Sequence, residues 1–245
     1  MPPSAAIRRA KAAVRSYFCR CIDVKTMTDL SPTYSYVHSH FKKVYATLVL
    51  ACVCTILGVS LDFAGEIGGR FTFLVFSGSM FFLHKTPSWR GAKRICYMMA
   101  ATFFMGASIV PCFRPFVNID HGFLMTIIGA QALCHVAYWL GAMRAKRTLE
   151  RSFYVRGVVY SYMFLLVLFV AAFLRYNPYI VYFVMLYMAC YPPALWAYSQ
   201  EMAVKLPRGD GKMDCVSCCL RFYTDYPAIL GYAIAIAAKD IFYDG

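Results

Sequence analysis

Asp225 is the residue whose type and place most invite chemistry. A carboxylate inside a long apolar segment is costly in lipid and marks an ion or proton path by default. Of the chain's twelve acidic residues, Asp225 is the one that falls deep in such a segment. It lies about 15 Å along a helix that starts near Cys215. Arg221 precedes it by four residues, on the same helix face. Two readings of the pair coexist. In one, the two charges neutralise each other structurally. In the other, Asp225 titrates or ligates a cation and Arg221 gates it. Pairing lowers a carboxylate's pKa and competes with the cation, so both can hold.

The groups that would share this site come from the segment before it. The sixth and seventh apolar segments form a hairpin around Arg208-Gly209-Asp210-Gly211. Counting outward from a tip near 211–212 sets Tyr198 and Asp225 opposite each other. Pro192 and Pro193 kink the sixth helix and free backbone carbonyls, and Pro227 does the same beside Asp225. Freed carbonyls at membrane depth face protein or a water-filled path. Two broken helices meeting at a buried carboxylate is a transporter's way of building an ion site. Glu201 sits one turn nearer the cytosol than Tyr198. His135, midway along the fourth segment, is a candidate proton relay; the plainer reading is a helix–helix hydrogen bond.

The 11 cysteines do not read as a disulfide framework. Cys52, Cys54, Cys96, Cys134 and Cys190 fall within apolar segments, as small buried hydrophobes do. Cys215, Cys218 and Cys219 stand at the basic, reducing end of the last segment. Cys215-x-x-Cys218 lacks the second ligand pair of a zinc site, so palmitoylation or packing is the expectation there.

The elements that position these residues follow from composition. Of 245 residues, 60% are hydrophobic and 15% charged, with a mean hydropathy of +0.54. Soluble domains carry about a quarter charged residues. The apolar residues fall into seven segments, 44–61, 67–84, 95–116, 122–143, 154–174, 179–200 and 215–238. A span takes about 20 residues. Lys plus Arg number eight before the first segment, then one, four, one, four, one, three and one, with Arg156 and Arg221 left inside segments. That alternation predicts an all-α membrane protein, a seven-transmembrane-helix bundle with a cytosolic N-terminus and a lumenal C-terminus. A seventh segment that dips in and returns would leave the C-terminus cytosolic. The expected organisation is a basic tail over 1–43, a membrane domain over 44–240 and a short tail over 241–245. The net charge of +13 sits at the ends of apolar blocks. It therefore points to membrane lipids as partners and away from nucleic acid. Residues 1–22 carry five basic and no acidic residues, a pattern shared by cytosolic tails and mitochondrial presequences. The tail is the preferred reading.

Several stretches carry a family resemblance. Ala197-Tyr198-Ser199-Gln200-Glu201, then Gly209-Asp210 through Met213-Asp214, then Leu220-Arg221-Phe222-Tyr223-Thr224-Asp225-Tyr226 resemble the C-terminal signature of the Bax inhibitor-1 family. That signature reads Asp-Thr-Gln, a short Gly-Asp loop, and a helix with an aromatic-flanked Asp. Ser31-Pro32 and His40-Phe41-Lys42-Lys43-Val44-Tyr45-Ala46 look like the family's approach to its first span. Ala101-Thr102-Phe103-Phe104-Met105-Gly106 through Pro111 look like its third, and 144–154 resembles its basic loop before the fifth. The resemblance runs over about residues 30–240.

The resemblance implies a seven-helix bundle in the endoplasmic reticulum membrane, a pH-sensitive passive calcium leak, and suppression of cell death. Calcium or protons would be the transported ions, with Asp225 the metal ligand, no resident cofactor, and death-regulating membrane proteins as partners. In family members with a two-aspartate site, carboxylates on the sixth and seventh helices share a proton and gate the path. Asp225 matches the seventh-helix aspartate, and Tyr198 stands where the sixth-helix one would be. A phenol titrates near pH 10 and shares no proton with a carboxylate near neutrality. Other classes fit less well. A cytosolic N-terminus is opposite to that of a G-protein-coupled receptor. An intramembrane enzyme lacks a His/Asp metal cluster, so no enzyme is expected. The strongest rival is a scaffold that binds death-regulating proteins without moving ions. The organelle alternative, from the basic tail, is the mitochondrial inner membrane.

Overall fold

The computed structural model describes residues 34–113, 121–144, 159–163, 165–167, 170, 178–205 and 214–224. Among these, every regular element is an α-helix. They are α1 (Ser35–Gly65), α2 (Arg70–Lys85), α3 (Gly91–Phe113) and α4 (His121–Arg144). Then come α5 (the helical residues within 159–170), α6 (Pro178–Lys205) and α7 (215–224). Each overlaps one of the apolar blocks.

Helix α1 starts at Ser35, ahead of the apolar block that begins at Val44. The reason is periodicity. Val37, Phe41, Val44, Tyr45 and Leu48 recur at spacings of three and four and are all buried, so the first turns already present an apolar stripe to the bundle. The tail expected over 1–43 thus ends in helix. At its other end α1 stops at Gly65, and Glu66 takes a left-handed φ of 47° while its N–H bonds to the Asp62 carbonyl at 2.8 Å. Gly69 then caps α2, exchanging hydrogen bonds with the Thr72 hydroxyl at 2.9 and 2.8 Å.

Helix α1 packs against α3 and α4, and α2 packs against α3. The α1–α3 contact is made by glycine. A Cβ on Gly58 would overlap the Phe103 carbonyl oxygen and lie 2.9 Å from the Ala107 nitrogen; one on Gly106 would overlap the Thr55 carbonyl oxygen. Small residues let backbones approach closely where no hydrophobic force drives helices together. The core then continues through Met98, Cys134, Tyr138, Leu195 and Phe222.

The outer surface is apolar. Leu57, Phe63, Phe71, Leu74 and Phe82 are large, hydrophobic and exposed. Such a surface needs an apolar solvent. Among the described residues, Ser35–Gly65 and Gly91–Pro111 are long and apolar enough to cross a membrane.

The glycine contact gives a test. Gly58→Ala should lower the thermal midpoint of the detergent-solubilised protein by the equivalent of about 1–3 kcal/mol, because backbone rather than a movable side chain meets the new methyl. Gly78, mid-helix with open space beside it, is the control. Gly78→Ala should hold or raise the midpoint, by roughly 0.5–1 kcal/mol. Equal effects at the two positions would refute the close-approach account.

Candidate functional site

Helices α6 (Pro178–Lys205) and α7 pack against each other at Tyr198 and Phe222, whose rings meet edge to face with centroids 5.5 Å apart. The buried Tyr198 hydroxyl donates a hydrogen bond to the Cys218 carbonyl, one turn before Phe222. Asp225, the partner expected for Tyr198, lies outside the described residues. Next along α6, Ser199 is buried, donates to the Leu195 carbonyl at 2.6 Å and is hydrogen-bonded to the Tyr45 hydroxyl of α1. Gln200 is also buried, and its Nε2 has no hydrogen-bond partner. Glu201 is half-buried on the same helix. Arg221 is exposed on α7.

His135 is fully buried in α4 and is hydrogen-bonded through Nε2 to the Tyr191 hydroxyl of α6 at 2.7 Å. Its ring also meets Tyr191 and Phe222 edge to face, at 5.6 and 5.7 Å. Tyr191 and Phe222 are themselves perpendicular at 5.6 Å. Three helices therefore meet at one aromatic knot. Such contacts are each worth about 0.5–1.5 kcal/mol beyond burial. The Nδ1 atom of His135 has no hydrogen-bond partner. The tyrosine of α4, Tyr138, donates to the Pro192 carbonyl at 3.2 Å and packs its ring 5.5 Å from that of Tyr45.

The start of α7 is tied by polar contacts. Asp214 is its N-cap: Oδ1 accepts from the Ser217 N–H at 3.2 Å, and its carbonyl accepts the first intrahelical bond from Cys218. The other oxygen, Oδ2, forms an ion pair with Arg94 Nη1 of α3 at 2.5 Å. Toward α1, His40 Nε2 lies 3.3 Å from Cys218 Sγ, and Thr47 Oγ1 lies 3.3 Å from Cys215 Sγ. The Cys219 thiol points at the Val44 carbonyl at 3.6 Å. These cysteines fill the α1–α7 seam. Among the described residues, no group of three or more His, Cys, Asp or Glu is arranged to hold a metal ion.

The structure thus brings Tyr198 and His135 to one aromatic cluster through Phe222, while Arg221 faces outward. Sequence reasoning missed three features. Tyr191 as the partner of His135 is a contact across 56 positions, which local spacing does not reveal. Arg94 counted only as an orienting charge, and Asp214, an aspartate just ahead of an apolar helix, carried the signal of an N-cap that went unread. Asp62 falls one residue past the first apolar segment. It is nevertheless buried within α1, where Oδ1 accepts the Gly68 N–H at 2.9 Å.

Residues 37–236 match the sequence model of the family described as "Inhibitor of apoptosis-promoting Bax1". Among curated relatives, "Bax inhibitor 1" of Oryza sativa subsp. japonica is 29% identical over 223 residues, 89% of this chain and 86% of the relative. "Bax inhibitor 1" of Arabidopsis thaliana is 27% identical over the same lengths. No solved structure gives a significant match. Helices with an apolar exterior and a family match over most of the length agree: this chain belongs to the Bax inhibitor family and is a membrane protein.

Proposed function

We propose that the chain is a negative regulator of cell death that acts as an intracellular-membrane calcium leak channel or cation/proton exchanger. The path runs along the joint of α6 and α7, with Asp225 as cation ligand and Tyr198, Arg221 and Glu201 as gating groups. The protein spans the endoplasmic reticulum membrane seven times with its N-terminus in the cytosol. The charge alternation supports that orientation, and the family match supports the role in death regulation. The mitochondrial inner membrane is the second location to examine.

One observation carries the ion-path reading. His135 Nδ1 and Gln200 Nε2 are buried in apolar helices without hydrogen-bond partners. A buried unpaired polar atom costs about 1–3 kcal/mol. Polar groups at such depth are kept where they line a hydrated path or a relay. His135 with Tyr191 also supplies two exchangeable ring or hydroxyl protons at one place, which suits the relay role.

The sixth-helix position sets the pH response. An aspartate pair held close shares a proton, and one of its pKa values rises toward neutrality. Tyr198 in that place leaves Asp225 without a like charge, so the leak should vary little with pH through this joint. The rival reading, a scaffold for death-regulating proteins, needs no ion path.

Calcium efflux from liposomes holding the purified protein, wild type beside Asp225→Asn, tests the reading across pH 6 to 8. Wild type should leak above empty liposomes, and Asp225→Asn should lose most of that flux. No flux from folded wild-type protein would transfer the function to the scaffold. Tyr198→Asp should convert a flat profile into one that changes severalfold over the same range; an unchanged profile would remove position 198 from gating. Cell protection that survives Asp225→Asn would favour the scaffold.

A further inference from the structure

The first turn of α7 is held from three sides by contacts of unequal strength. Toward α1 the partners are thiols, at 3.3 Å to His40, 3.3 Å to Thr47 and 3.6 Å to the Val44 carbonyl. Sulfur is a weak donor and a weak acceptor, so these contacts fit surfaces together more than they bind. Toward α6 the contact is a neutral hydrogen bond, from the Tyr198 hydroxyl to the Cys218 carbonyl. Toward α3 there is a charge-assisted contact: Arg94 Nη1 stands 2.5 Å from Asp214 Oδ2 and 3.3 Å from the Ser217 hydroxyl. Charge-assisted bonds are about twice as strong as neutral ones. The Arg94–Asp214 pair therefore dominates.

The pair also does two things at once. Asp214 caps α7 with one oxygen and receives Arg94 with the other. The guanidinium thus fixes the helix start, its cap and the adjacent Ser217 together. Yet the pair is poorly compensated. The two side chains are only 9% and 15% exposed, and among the described residues neither Arg94 Nε nor Asp214 Oδ2 has a hydrogen-bond partner, so the two charges meet as an ion pair without hydrogen-bond geometry. A dehydrated ion pair with an unsatisfied donor gains little net stability over its separated, hydrated state. An element held by one dominant contact of small net advantage has two accessible arrangements.

We propose that Arg94 is the positioning residue that clasps α7 shut, and that parting of Arg94 from Asp214 releases the helix start and opens the path at its Lys43 and Arg94 end. The second half rests on the ion-path reading above; the first does not. A plain stabilising staple would behave differently. Its loss would lower stability without raising any activity, whereas loss of a clasp raises both accessibility and flux.

Native cysteines report the clasp without reference to ions. Cys218 and Cys219 are fully buried in the α1–α7 seam, while Cys96 on α3 is exposed. The full chain, solubilised in detergent, is reacted with a charged maleimide, and labelling of each cysteine is read by peptide mass spectrometry. Asp214→Asn keeps a capping side chain and removes the ion pair. Arg94→Ala removes it from the other side, and Arg94→Lys keeps the charge. In Asp214→Asn and Arg94→Ala, labelling of the peptide bearing Cys218 and Cys219 should speed up by about tenfold or more. Cys96 should react at the wild-type rate throughout, and Arg94→Lys should recover much of the protection. Calcium efflux from liposomes holding the same variants should rise in parallel.

Faster labelling of Cys218 and Cys219 with greater efflux supports the whole proposal. Faster labelling with no efflux from any protein, wild type included, supports the clasp and sinks the ion path. Faster labelling with wild-type efflux left unchanged overturns the gate. Wild-type labelling in a folded Asp214→Asn overturns the clasp itself. If Arg94→Ala fails to fold, Asp214→Asn and Arg94→Lys decide the matter.

Discussion

The contact on which the arrangement depends is the approach of α1 to α3 through Gly58 and Gly106. In that crossing, backbone meets backbone, and a single added methyl has nowhere to go. Much of what holds the start of α7 is referred to this pair of helices. Arg94 comes from α3, and His40, Val44 and Thr47 come from α1. A shift between α1 and α3 would move one set against the other, and the start of α7 could satisfy only one of them. The glycines thus act at a distance from the polar contacts that they align.

A second constraint comes from the apolar surroundings. Polar atoms among apolar helices are expensive unless paired, and here hydroxyls bond carbonyls of their own helix while several tyrosines pair between helices. Tyr45 joins α1 to Ser199 of α6, Tyr138 joins α4 to Pro192 of α6, and His135 joins α4 to Tyr191 of α6. Helix α6 supplies one partner in each case. Its small and hydroxylated residues, Ala194, Ala197 and Ser199 among them, are buried and leave room for the incoming tyrosines. Tyrosine suits this task because its ring packs apolar neighbours while its hydroxyl reaches a partner at the far end.

Much of this was legible in the sequence, because hydropathy is a local property. The apolar blocks coincide with helices, and the family resemblance over about 30–240 agrees with a match over 37–236. The start of α1 was not placed, since the stripe from Val37 to Leu48 is interrupted by His38, His40, Lys42 and Lys43 and is averaged away in a hydropathy window. The depth of Tyr198 depended on where the hairpin turns. Among the described residues, its ring meets that of Phe222. Asp225 itself lies outside the described residues. The Arg94–Asp214 pair was hidden for a different reason. Each residue reads sensibly alone, one as an orienting charge and one as a loop acid, and only the fold brings them together across 120 positions of chain.

That position 198 holds a tyrosine and not a carboxylate bears on how the α6–α7 joint can be controlled. Two carboxylates at an α6–α7 contact repel unless they share a proton, so the joint itself responds to pH. A phenol that donates to the Cys218 carbonyl makes the same contact with a proton that it keeps throughout the physiological range. The joint is then always made, and it no longer decides whether α7 stays in place. Among the described residues, the charged contact at the start of α7 is the ion pair between Arg94 and Asp214. Its strength depends on dehydration and on the charges around it rather than on a shared proton. On the proposed reading, α7 is thus held by an electrostatic contact at its cap, beside a neutral hydrogen bond at the α6 joint.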